Sequence, residues 1–120
     1  MEYEFTMELA KAQREICRRY GALYAPIDLG LKLGAADDLF SGQLPLNGLR
    51  HLPTDNTCGW YLWAGEEMSD DVGYFKPMHA FHLIERCPQL IPYLGLPAGW
   101  RFLVTDDYED VWFDQKLLES

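Results

Sequence analysis

His79, His82 and Arg86 stand three and four residues apart in "PMHAFHLIERC", the stretch whose side chains are best spaced to do chemistry. On a helix this spacing puts all three on one flank. Two imidazoles there could bind a metal, with Glu85 or an acid from the 66–71 loop completing the shell. They could instead handle a proton or a substrate in a pocket lined by Trp60 or Trp100. H-x-x-H without a fixed third ligand is not a metal motif, and helical histidines commonly just bond a carbonyl or a carboxylate. His79, His82 and Arg86 are therefore candidates for an alternative pocket, with no metal expected.

Adjacent acids recur at Glu66/Glu67, Asp70/Asp71, Asp106/Asp107 and Glu109/Asp110. None falls in a calcium loop of alternating acids closed by a glutamate, and adjacent acids in loops are usually just solvated. Cys17, Cys58 and Cys87 are odd in number and far apart, with no C-x-x-C pair. They read as small buried hydrophobes rather than a zinc or dithiol site. A nucleophile elbow, a phosphate-binding loop and a dinucleotide fingerprint are all missing from the sequence. No catalytic residue and no cofactor follows from these motifs.

The elements that must position these residues fit one domain spanning 1–120, a length that supports one hydrophobic core. With 48% hydrophobic and 24% charged residues the balance is globular. The charge of −9 repels nucleic acid and suits a basic protein partner. No apolar run approaches the roughly 20 residues of a membrane helix. The N-terminus puts acids where a secretory signal puts bases, so a cytoplasmic location is expected.

Phe5, Leu9, Ala12, Ile16 and Tyr20 recur at helical spacing, predicting a helix over about 6–20 with Thr6 as N-cap and Gly21 as stop. Strands are expected over Ile27–Leu33, Leu44–Leu52 and "CGWYLWAG". Pro77 is placed to open a second helix, whose core stripe is Ala80, Leu83, Ile84 and Cys87. Pro88 then starts a short helix through Leu94. "WRFLVT" and "EDVWFD" form the clearest hairpin, over 100–113, with Trp100, Phe102, Val104, Val111 and Phe113 as core; Gln115 to Leu118 makes a last turn. The fold class is α+β: a small, mainly antiparallel sheet with helices packed on one face.

That architecture leaves aromatic residues over. Alternation sets Trp60 and Leu62 on one strand face and Tyr61 and Trp63 on the other, and turns Trp112 away from Val111. So short a chain has helix enough for one face, so one aromatic set is expected to be partly exposed beside the acidic loops. The candidate contact residues are Tyr61, Trp63 and Trp112, with Glu66, Asp70, Asp107 and Glu109 as the acidic rim.

The segments "NGLRHLPTDNTCGWYLWAGE", "FKPMHAFHL", "YLGLPAGWRFLV" and "YEDVWFD", over about residues 45–118, resemble a bacterial domain family. It was first grouped as a domain of unknown function and later as the thirty-third numbered class of immunity proteins in polymorphic toxin systems. The resemblance implies a small cytoplasmic protein that binds a cognate toxin. A basic, nuclease-like toxin would suit the charge. The family brings no catalytic residues to transfer.

Overall fold

Chain pairing, not helix packing, sets the frame. A computed structural model describes the backbone from Glu2 to Glu119 and side chains from Met7 to Glu119. Helix α1 spans Glu2–Tyr20, followed by strands β1 (Lys32–Ala36), β2 (Leu46–Arg50), β3 (Thr57–Ala64) and β4 (Phe75–His79). Helix α2 (Ala80–Arg86), a 3-10 turn (Pro88–Tyr93) and strands β5 (Trp100–Val104) and β6 (Glu109–Phe113) complete it, with further 3-10 turns at Asp37–Phe40 and Gln115–Leu118. The sheet order is β4-β1-β3-β2-β5-β6; β1 and β3 run parallel and every other neighbouring pair antiparallel. The fold is α+β, with the C-terminal hairpin in the expected place.

One face of the sheet carries Trp60, Leu62, Phe102 and Val104 against Ile16 and Cys17 of α1, Leu83 and Ile84 of α2 and Leu90 and Ile91 of the turn after it. This is the main core, and the α2 stripe Ala80, Leu83, Ile84 and Cys87 is buried as its spacing requires. All three cysteines are free and buried, and burial raises each thiol pKa. Among the described residues no helix is long and apolar enough to cross a membrane.

Several boundaries differ from expectation. Helix α1 starts at Glu2, so Thr6 lies inside it and is not its N-cap; the side chains of Phe5 and Thr6 fall outside the described residues. The expected strand Ile27–Leu33 begins only at Lys32. Upstream of it Asp28 folds a turn, its carboxylate accepting from the Gly30 N–H at 2.9 Å. The Leu29 and Leu31 carbonyls then accept from the Phe81 and Ala80 N–H groups. These carbonyls satisfy the first amides of α2, which has no side-chain cap. Pro77 does not open that helix. It sits in β4 opposite Gly34, on an edge strand where a missing N–H breaks no ladder. His79 is consequently extended and precedes the helix.

Phe113, expected in the core, is 46% exposed. It closes the end of the edge strand β6, where its ring packs edge-on against Trp100 and over Gly99. Trp100 itself is only partly buried.

Candidate partner-binding face

The sheet register decides which of the candidate residues meet. Tyr61 pairs with Leu49, Leu49 with Arg101, and Arg101 with Trp112, so one row crosses β3, β2, β5 and β6 on the face opposite the main core. The next row is Trp63, Asn47, Leu103 and Asp110. Tyr61, Trp63 and Trp112 thus do share a face, as strand alternation implies.

That face is not bare. Trp63 is 5% exposed and belongs to a second, smaller core with Ala36, Leu49 and Leu117. The reason is local. The loop after β3 folds back so that Tyr74 donates to the Asp38 carboxylate at 2.6 Å, and Phe75 packs edge-on against Trp63. Leu117 of the last 3-10 turn joins from the C-terminal side. Phe75 at the start of β4, the loop before it and the last 3-10 turn, not a helix, cover this half, which corrects the expectation that Trp63 is exposed. Burial and the Asp38 contact push the Tyr74 hydroxyl well above its usual pKa. Tyr61 is partly buried between His51 and Phe75.

Trp112 stays half-buried. The Arg101 guanidinium lies 5.6 Å from its ring centre and pairs with Asp114 at 3.1 Å. The hydrogen bond from Arg101 and then the Lys116 N–H keep the Asp114 carboxyl below its ordinary pKa. Asp110, exposed and on the same face, sits one row away. Arg101 escapes a reading of the sequence alone because its partners lie across the hairpin.

The acids gather at one end of the sheet. Ala64 pairs with Leu46, and Leu46 with Val104, so the loop after β3 and the β5–β6 turn leave from the same end. Since β1 runs parallel to β3, the loop after β1 leaves there too. Asp37, Glu66, Glu67, Asp70, Asp71, Asp106 and Asp107 are all exposed in these connections. Lys76 answers one of them, bridging Asp37 at 2.7 Å.

Glu109 is the exception among the rim candidates. It pairs with Val104 on the helix-covered face, where its carboxylate accepts from the hydroxyls of Tyr20 and Tyr93 at 2.6 and 2.7 Å and from Arg19. Odd positions of β6 face the helices and even ones face away, so Glu109 and Trp112 cannot share a surface. It ties α1 to β6 instead. Burial works to raise its pKa, yet the three donors outweigh it and hold the carboxyl below its ordinary range.

The alternative residues also come together. His79, His82 and Arg86 line an open groove with Lys32 and Glu85, along the β4 edge. Neither Trp60 nor Trp100 lines it, since Trp60 is fully buried in the main core and Trp100 lies in β5. No group of three or more His, Cys, Asp or Glu among the described residues is arranged to hold a metal ion.

The two edges of the sheet are unlike. Edge β4 carries Lys76 and Pro77, both of which oppose addition of a strand. In β6 the Thr105–Tyr108 and Asp114–Gly99 hydrogen bonds fix the ladder phase, so the amides of Glu109, Val111 and Phe113 point away from β5.

Comparison with known proteins adds a family. No curated protein and no solved structure matches the chain. A model of the Imm33-like domain matches residues 12–114, which extends the likeness from the sheet back into α1. With that match running through every strand and both helices, the chain belongs to the Imm33-like domain family of immunity proteins.

Proposed function

We propose that this protein is an antidote that binds and neutralises a cognate bacterial toxin through the β5–β6 half of the outer sheet face and the acidic sheet end. The family supplies the class of activity. The observation that supports this surface is the half-buried Trp112 beside exposed Asp110, on the hairpin whose turn carries Asp106 and Asp107. A large aromatic backed by a fixed arginine and flanked by acids has the composition of a binding anchor with a charged rim. Tyr61 stands in the same row beyond Arg101 and Leu49, Glu66 and Asp70 extend the rim, and the buried Trp63 supports the face.

The charge points to a basic partner, and a nuclease toxin, which must itself attract nucleic acid, is such a protein. Seven exposed acids at one end would speed encounter, which is what an antidote needs.

The test is binding kinetics against the toxin-like protein encoded beside this chain. Trp112→Ala should speed dissociation, costing about 2 kcal/mol or more. Asp107→Lys and Asp70→Lys should slow association and flatten its salt dependence, since rim charges act mainly on encounter. Normal binding by all three variants, each still folded, would rule this surface out.

A further inference from the structure

The groove along the β4 edge has a charge opposite to that of the molecule. Lys32 from β1, His79 from β4 and His82 and Arg86 from α2 all line it, with Glu85 as its one carboxylate. Among the described residues Lys32, His79, His82 and Arg86 make no ion pair, whereas Arg18, Arg19, Lys76 and Arg101 each have an acid within reach. In a chain of net charge −9 the fixed cations Lys32 and Arg86 thus outnumber the one acid, Glu85, in this concave place.

Arg86 is also oriented in advance. Its guanidinium carbon lies 3.8 Å from the centre of the Phe40 ring, in the 3-10 turn after β1. Stacking restrains the guanidinium on one flat side, and because Phe40 lines the neighbouring hollow, Arg86 stands between that hollow and the groove. The His79 and His82 rings are 6.2 Å apart, and the His82 ring lies tilted against Phe81 at 4.2 Å. Nitrogen donors therefore come from three elements around one hollow. Such an arrangement suits a tetrahedral, many-oxygen anion better than a flat carboxylate, which one arginine fork can satisfy alone.

We infer that this groove is a binding site for a small phosphate-bearing molecule, held by Lys32, His79, His82 and Arg86. The groove lies along β4, at the opposite end of the strand order from Trp112 in β6. The charged groups facing the histidine rings are Lys32, Glu85 and Arg86, with Asp106 beyond Arg86 in the neighbouring hollow.

The experiment follows the histidine ring signals by NMR while pyrophosphate, inorganic phosphate, sulfate or citrate is added at constant ionic strength. The expected result is saturable binding of pyrophosphate, weakened about tenfold by Arg86→Gln and about threefold or more by Lys32→Gln. Arg18→Gln, at an exposed cation on α1, should leave it unchanged. Lys32→Gln disturbs no packing contact of Arg86 and keeps the test valid if Arg86→Gln loosens Phe40. Sulfate, a tetrahedral anion of lower charge, should bind more weakly than pyrophosphate. Shifts that rise linearly without saturating, or equal losses in Arg18→Gln, would overturn the site. Citrate binding more tightly than pyrophosphate would overturn its assignment to phosphate.

Discussion

Glu109 receives three donors from two segments, α1 and the 3-10 turn ending at Tyr93, and its environment turns into a pH dependence. Because its folded pKa is depressed, the native state holds fewer protons than the unfolded chain near that pKa. The stability it contributes is complete above the unfolded glutamate pKa of about 4.3 and is lost as pH falls through the lower folded value. Glu109→Gln should cost about 1–2 kcal/mol at neutral pH by urea denaturation, with Tyr20 and Tyr93 bringing most of it because Arg19 is half exposed. The gap between wild type and variant should close on acidification, and a constant gap would mean shape rather than charge matters. Arg50 is the other residue whose role only its partners reveal. It is 4% exposed, lies beside the Trp60 ring, and donates to the carbonyls of Cys58, Ala25 and Leu96 at 3.0, 2.7 and 2.7 Å. Burial lowers its pKa, and carbonyls rather than a carboxylate receive its donors. Arg50→Lys loses the fork that reaches three segments at once and should cost about 2 kcal/mol or more by denaturation.

Strand β3 carries the molecule, and its geometry depends on a bulge. Its register with β1 shifts between the Lys32–Thr57 and Gly34–Tyr61 pairs, and Gly59 within that shift has φ of +97°. A Cβ at Gly59 would lie 2.2 Å from the His51 carbonyl oxygen, a backbone atom that cannot step aside. Gly59→Ala should therefore destabilise by about 3 kcal/mol or more in a denaturation curve, since strain and overlap add. Phe102 of β5 is 1% exposed, stacks on Tyr93 and touches Trp60, and Phe102→Ala should cost about 3–5 kcal/mol by the same measurement. The same logic separates two tryptophans that strand alternation treats alike. Trp63→Ala should unfold the protein more readily by about 3–5 kcal/mol, while Trp112→Ala should cost clearly less because Trp112 is only partly buried.

Across the whole molecule, charge is unevenly spread. Acids crowd one end of the sheet, unpaired cations line the β4 edge, and the β6 edge keeps outward amides. Raising salt should slow association with a basic partner steeply, because the acids act together over about a Debye length of 8–10 Å. Trp112 in β6 and the groove along β4 lie at opposite ends of the strand order, so Trp112→Ala should not change pyrophosphate binding. Removing metal with a chelator should leave the melting temperature unchanged, since no acidic, histidine or cysteine cluster among the described residues holds the fold together.

The sequence by itself determined the α+β class, the C-terminal hairpin, the buried stripe of α2 and the side on which each β3 aromatic lies. These follow from periods of 3.6 and 2 and from Pro and Gly punctuation, which are local properties of the chain. It also brought His79, His82 and Arg86 together, though Pro77 proved to be in a strand. Only the tertiary structure decided what covers the outer face. Trp63 is buried because a loop anchored by Tyr74 on Asp38, 36 residues earlier, returns over it, and no local pattern encodes that contact. Glu109 moved from rim to internal tie because Arg19 and Tyr20 lie 90 and 89 residues before it. Arg50 left no trace in the sequence at all, since its partners are backbone carbonyls, which every residue has.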